Sequence, residues 1–195
     1  MVRKSAIHRN TTETDIIVEI NCDGTGESRI ATTVPFLDHM LCLVARHGLI
    51  DLSVRAAGDT DVDYHHLVED VGICLGQALR EALGDKRGIG RYGFASVPMD
   101  ESLSAVSLDL SGRPCLVFNA ELSGMRIRDF DLSLVKEFFK ALVDNGGITL
   151  HINAIYGRNS HHIVESMFKA FARALREAMA VNERICGIMS TKGRL

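Results

Sequence analysis

The chain carries little excess charge of either sign and no apolar run long enough to cross a bilayer. It has 22 Lys and Arg against 25 Asp and Glu, a net charge of −3. That balance argues against a surface built for nucleic acid. A helical membrane span needs roughly 20 consecutive apolar residues, and the sequence has no such run. The first residues, Met1-Val2-Arg3-Lys4-Ser5, lead into a polar stretch and not into the apolar core of a secretion signal. The five cysteines, Cys22, Cys42, Cys74, Cys115 and Cys186, form no Cys-x-x-Cys pair. Cys42, Cys74 and Cys115 stand in apolar surroundings, so reduced, buried thiols and a cytoplasmic location are expected. Hydrophobic residues make up 46% and charged residues 24% of the 195 positions. That is enough to fill the core of one domain or of two small fused ones.

What the chain does have is one pattern written twice. His65-His66-Leu67-Val68-Glu69 recurs 96 residues later as His161-His162-Ile163-Val164-Glu165. At that shift, residues 65–85 and 161–181 agree at nine of 21 positions, and the agreement includes Ala-Leu-Arg-Glu-Ala at 78–82 and 174–178. Upstream the match continues at a shift of 98, where residues 48–56 face residues 146–154 and both alternate apolar with polar. Such alternation is the mark of a half-buried strand. The same shift lays His39 over Glu137.

Each half therefore reads as strands, a short helix, a strand and a long helix. Strands are expected near 14–22, 28–33, 49–57, 91–98, 102–110, 115–121 and 148–155. Helices are expected near 36–46, 65–83, 131–144 and 161–180. Gly84-Asp85-Lys86-Arg87-Gly88 ends the first long helix and joins the halves, 1–87 and 88–195. The halves are short for independent domains. An α+β fold is expected, with two similar, mostly antiparallel sheets, each covered by helices, sharing one core.

Imidazole and carboxylate at helical spacing make a transition-metal site. Residues four apart share a helix face, so His65 with Glu69, and His161 with Glu165, can each hold one ion. The adjacent histidine points about 100° away around the helix and serves a different ion. With the two halves facing each other, in one chain or between chains, one ion takes His65, Glu69 and His162. The other takes His161, Glu165 and His66. His39 and its repeat partner Glu137 then complete the two sets. Ligand type alone leaves the ion open among Zn, Fe, Ni and Mn.

The surrounding segments resemble those of imidazoleglycerol-phosphate dehydratases, the enzymes of one step of histidine biosynthesis. They are Arg9-Asn-Thr-Thr-Glu-Thr14, Phe36-Leu-Asp-His-Met-Leu41, Asp63-Tyr-His-His-Leu-Val-Glu-Asp-Val-Gly72 and Pro98-Met-Asp-Glu-Ser-Leu103. They continue with Asp109-Leu-Ser-Gly-Arg-Pro114, Gly157-Arg-Asn-Ser-His-His162, Glu165 to Leu175 and Ser190-Thr-Lys-Gly193. The resemblance implies two halves like the second domain of ribosomal protein S5. It also implies a 24-subunit shell with active sites between subunits and two Mn(II) ions per site. One ion would take His39, His66, His161 and Glu165; the other would take His65, Glu69, His162 and Glu137, a position where many members carry histidine. Leu43 stands where many carry glutamine, and Tyr64 replaces a common acidic residue.

The implied reaction is loss of water from imidazole glycerol phosphate to give imidazole acetol phosphate. Arg91, Arg113, Ser190 and Lys192 match the phosphate-binding positions, and Lys169 is a further substrate contact. His39, His66 and His161 hold the reacting ring through metal, Glu165 is the candidate base or proton shuttle, and Glu13 orients the substrate hydroxyls. The sequence before Lys192 lacks the glycine pattern of a P-loop. The rivals are a two-metal phosphoester hydrolase, which would be richer in Asp, and a metal-binding shell without catalysis, which would not need the phosphate set.

Overall fold

A computed structural model describes residues 2–122 and 124–195. The first half runs β1 (Lys4–Asn10), β2 (Thr14–Asn21), β3 (Ser28–Ala31), α1 (Pro35–Gly48), β4 (Asp51–Gly58) and α2 (His65–Leu83). The second runs β5 (Tyr92–Met99), β6 (Ser102–Asp109), β7 (Cys115–Asn119), β8 (Arg126–Ile127), β9 (Phe130–Asp131), α3 (Leu134–Gly146), β10 (Thr149–Tyr156) and α4 (Ser160–Met179). The sheet orders are β1-β2-β4-β3 and β5-β6-β10-β7. Within each sheet all neighbours are antiparallel except the last pair, β3 with β4 and β7 with β10. The duplication read in the sequence is thus a duplication of topology, and the α+β expectation holds.

Two elements were not anticipated. β1 is an edge strand of the first sheet, and its sequence, Lys-Ser-Ala-Ile-His-Arg-Asn, offers one large apolar side chain. An edge strand half in solvent needs little more. The β8–β9 hairpin is too short to leave a periodic signal, and the first half has no counterpart between β3 and α1. The helix expected from 131 begins at Leu134, because residues 130–131 pair in that hairpin.

The sheets are one-sided. In β2 the side chains of Ile16, Val18 and Ile20 are buried, and in β4 those of Leu52, Val54 and Ala56. Val106 and Leu108 of β6 and Leu150 and Ile152 of β10 repeat this in the second sheet. Removing alternate residues from water is what fixes register, since a one-residue slip would turn each set outward. α2 covers β1, β2 and β4, while α4 covers β5, β6 and β10. The halves then join helix to helix, α1 on α4 and α2 on α3. Gly72 makes the second contact close: a Cβ there would lie 2.6 Å from the Phe138 carbonyl oxygen. Phe138 and Phe139 of α3 pack edge-on or tilted against Phe168 and Phe171 of α4, and the buried residues of the two halves form one continuous core.

All five cysteines are free thiols. Cys22 and Cys74 are buried, and burial pushes both thiols up to about 11. Cys42 is half-buried, and Cys115, expected inside, is exposed. Cys115 starts the edge strand β7, whose ends face solvent. No helix among the described residues is long and apolar enough to cross a membrane.

Candidate metal centre and anion cavity

Of the four helices, α4 is the one whose start carries a side-chain cap among the described residues. The Asn159 side chain accepts from the backbone N–H groups of His161 (2.9 Å) and His162 (3.4 Å). This cap satisfies donors that helix geometry leaves open and sets the direction of both rings. His161 Nε2 lies 3.1 Å from Glu165 Oε2, the contact expected of residues one turn apart. α1, packed on α4, adds His39, whose Nε2 is 3.6 Å from the same oxygen. The ligand atoms of His39, His161 and Glu165 all fall within 4.8 Å of one another. Two imidazoles and a carboxylate at that separation fit a divalent transition metal with coordination positions left over. Phe36 walls the cluster, its ring edge-on to His161 at 5.5 Å between centroids.

Glu165 is only 8% exposed. Burial alone would push its carboxyl up. The Lys169 ammonium, 2.6 Å from Oε1, and the His39 ring more than reverse this, and the carboxyl sits below its ordinary range. Glu165 is therefore held as the anion a ligand must be.

At the start of α2, His65 Nε2 lies 3.6 Å from Glu69 Oε2. His66 turns the other way, as a 100° step requires, and its Nδ1 donates to Asp59 Oδ2 at 2.9 Å. Glu13 Oε2 stands 3.9 Å from the same nitrogen. His162 does likewise in the second half, with Nδ1 donating to Glu101 Oε2 at 2.7 Å. The carboxylate partners raise both His66 and His162 above their ordinary values, while His162 and two backbone N–H groups hold Glu101 well below the usual carboxylate range.

Of the ligand set His39, His66, His161 and Glu165, one chain gathers three; His66 lies at the other histidine pair, with Asp59. Of the set His65, Glu69, Glu137 and His162, one chain brings His65 to Glu69, and His162 stays with Glu101. Glu137 is half-buried on α3, the helix packed on α2, and makes no ion pair or hydrogen bond among the described residues. Neither second histidine joins its neighbour's cluster within one chain.

Arg91, Arg113, Ser190 and Lys192 do come together. They line one cavity of about 280 Å³ with Thr191, Arg194 and Leu195. Arg91 is anchored there: its Nε and Nη2 donate to the two oxygens of Asp109 (2.6 and 2.9 Å), and its Nη1 donates to the Met189 carbonyl (2.8 Å). Arg91 thus orders the C-terminal segment as well as lending charge. Arg113 is more loosely held, its side chain 67% exposed and 3.8 Å from Asp109, and Lys192 is exposed with no side-chain partner among the described residues. The backbone N–H of Arg91 donates to the carbonyl of Ala178, which places the cavity at the C-terminal end of α4. His161 is at the other end, about 25 Å away at 1.5 Å per residue.

Asp59, Glu101 and Arg194 were missed by sequence reasoning. Glu101 had a signal: it precedes the first residue of β6 as Glu13 precedes the first residue of β2. Asp59 and Arg194 had none, because a single charged residue after a strand or in a tail is ordinarily solvated.

Comparison with known proteins gives one consistent match. The family model for imidazoleglycerol-phosphate dehydratase covers residues 32–175. The imidazoleglycerol-phosphate dehydratase of Geobacter sulfurreducens is 60% identical over 195 residues, the whole of both chains. That of Syntrophus aciditrophicus is 56% identical over 196 residues, again covering both completely. Among solved structures, the Staphylococcus aureus enzyme superposes with a TM-score of 0.83 at 43% identity, covering 92% of this chain and 99% of that one. The Pyrococcus furiosus enzyme, in complex with (S)-C348, gives 0.84 at 41% identity, covering 97% and 100%.

Proposed function

Because the chain belongs to the imidazoleglycerol-phosphate dehydratase family and so to histidine biosynthesis, we propose that it removes water from imidazole glycerol phosphate at a two-manganese site assembled between chains. The observation that carries this reading is the separation along α4. The His39–His161–Glu165 cluster lies at one end and the cationic cavity at the other. A helix-length gap is too wide for one small phosphorylated imidazole. A substrate whose ring sits at a metal cluster and whose phosphate sits among Arg91, Arg113, Ser190 and Lys192 needs those groups from different chains. The 24-subunit shell implied by the family supplies such neighbours.

In the same assembly, His39, His161 and Glu165 of one chain take His66 from a second as fourth ligand to one ion. His65, Glu69 and Glu137 take His162 for the other. Glu137 makes the two sets unequal, with two carboxylates on one ion and one on the other. Mixed imidazole and carboxylate donors are compatible with Mn(II). When bound, the ions supply Lewis acidity toward the substrate imidazole. The chain's own groups do the rest. Glu13, beside His66, orients the glycerol hydroxyls. Loss of the hydroxyl next to the ring leaves the adjacent carbon's hydrogen acidic; Glu165 takes or relays that proton, and the resulting enol becomes the ketone of imidazole acetol phosphate. Lys169, paired with Glu165, lies where it can reach the same substrate end.

The test is purification with Mn(II), measurement of metal per chain, and assay of imidazole acetol phosphate. Two ions per chain, turnover and a mass far above that of one chain are expected. Release of inorganic phosphate would instead indicate the hydrolase, and two ions without turnover a metal-binding shell. Full activity at the mass of a single chain would overturn the shared site.

A further inference from the structure

Among the described residues, the second histidine of each repeated pair is hydrogen-bonded at one ring nitrogen, Nδ1. For His162 the tie is Glu101, and its surroundings are unusually fixed. Glu101 Oε2 accepts from His162 Nδ1 at 2.7 Å. Its other oxygen, Oε1, accepts from the backbone N–H of Asn159 (2.8 Å), that of Arg158 (3.1 Å) and the Ser102 hydroxyl (3.1 Å). With three donors on Oε1, the carboxylate cannot rotate to present its other face. Asp100 Oδ2 is the carboxylate oxygen facing His162 Nε2, at 3.8 Å, beyond hydrogen-bond reach. The first half repeats the device with another residue: Asp59 Oδ2 receives His66 Nδ1, and among the described residues no group is hydrogen-bonded to Nε2.

We propose that Glu101 is a positioning residue that keeps the His162 proton on Nδ1 and so leaves the Nε2 lone pair for the second ion. The proposal rests on the two-ion reading above. The nitrogen a histidine offers to a metal is set by the hydrogen bond of the other nitrogen, and a carboxylate there also raises its basicity. Glu101 touches neither ion nor substrate; it acts through His162.

A plain structural role is the alternative, with Glu101 merely clamping the start of α4 to the β5–β6 turn. Two substitutions separate the roles because they rank in opposite order. In Glu101→Gln the amide oxygen stays with the Asn159 and Arg158 donors, so the clamp survives. The amide NH2 then faces Nδ1, and two donors cannot share that contact. The imidazole proton moves to Nε2, which can no longer ligate. In Glu101→Ala the clamp is lost, but the ring is free to adopt either tautomer.

The experiment uses the full chain, stripped with chelator and titrated with Mn(II), with the free ion read by electron paramagnetic resonance. Thermal midpoints of the metal-free proteins are measured alongside. The wild type should take up two ions. Glu101→Gln should keep one at wild-type affinity and weaken the other by about 10–100-fold, with little change in thermal midpoint. Glu101→Ala should bind the second ion better than Glu101→Gln while melting lower. The reverse ranking, or equal weakening of both ions, overturns the proposal. A wild type that binds fewer than two ions overturns the two-ion reading itself and is told apart by that control. If Glu101→Gln does not fold, Asp59→Asn carries the test on the other ion, and an unchanged two-ion titration there overturns the idea.

Discussion

Lys169 lies one helical turn beyond Glu165, with its ammonium 2.6 Å from Glu165 Oε1, while His39 and His161 approach Oε2. The two oxygens of one carboxylate are thus divided between an ammonium and a pair of imidazoles. Lys169 also donates to Met99 Sδ at 3.3 Å, which holds the ammonium over β5.

Removing that cation has a defined consequence for pH. Burial pushes the Glu165 carboxyl up and Lys169 is the main opposing cause, so Lys169→Met raises it. On the two-ion reading Glu165 ligates only as the anion, so metal binding would be lost as pH falls through its titration. In Lys169→Met that loss should begin at a higher pH than in the wild type. Mn(II) affinity measured across pH 4 to 8, roughly the carboxylate-to-histidine range, tests this; superimposable profiles would sink it.

Arg113 is an exposed cation of the anion cavity with one loose ion pair to Asp109, whereas Arg91 donates to both Asp109 oxygens and to the Met189 carbonyl. Arg113→Gln should therefore raise KM by about 10–100-fold, the worth of a charge-assisted bond, and change kcat much less. Arg91→Gln should also disorder the C-terminal segment and depress both parameters. Steady-state kinetics with the phosphorylated substrate distinguishes the two patterns.

Gly72→Ala reverses an ordinary preference. In an exposed helix, alanine is better than glycine by about 1 kcal/mol. Here the new methyl would lie 2.6 Å from the Phe138 carbonyl oxygen and 3.0 Å from the Ala141 Cβ, so α3 must move away. The variant should be less stable by about 1–3 kcal/mol, the usual cost of overpacking. A denaturant midpoint equal to or above that of the wild type would mean that the helices separate freely.

Asp51 organises the link from β2 to β3 by accepting from the backbone N–H groups of Thr25 (2.8 Å) and Glu27 (3.2 Å) and from the Asn21 amide (3.0 Å). Those bonds hold its carboxyl below the ordinary value of 3.8. Stability from a lowered carboxyl is present above the unfolded value and lost as pH falls through the folded one. Wild type should exceed Asp51→Asn in stability at neutral pH, and the gap should close on acidification below 3.8. A gap that stays constant with pH would assign the effect to shape and not to charge.

Much of this molecule is written in its sequence because it is written twice. The alternation in β2, β4, β6 and β10 and the apolar faces of the four helices reflect burial on one side, which leaves a period. The histidine pairs reflect helix geometry, and the divergence of His65 from His66 follows from the 100° step alone. β1 and the β8–β9 hairpin left no such trace, since an edge strand and a two-residue strand bury too little. Asp59 left no trace for a related reason, and Glu101 left only its place before β6, matching that of Glu13 before β2. Each meets its histidine from a different element, and residue types alone do not say which loop closes on which helix. The gathering of Ser190 and Lys192 with Arg91 and Arg113 was implied by family resemblance, and the structure adds its location at the far end of α4.

The opposed ends of α4 have a genetic consequence. On the shared-site reading, a chain damaged at His161 still carries an intact cavity at Arg113, and a chain damaged at Arg113 still carries an intact metal cluster. Each is inactive by itself. Expressed together in one cell and co-assembled, the two alleles rescue one another, because some catalytic centres draw only on the undamaged end of each. Two lesions at the same end of the helix complement poorly or not at all. Growth without histidine would then sort the residues of this chain into two groups by which end of α4 they serve.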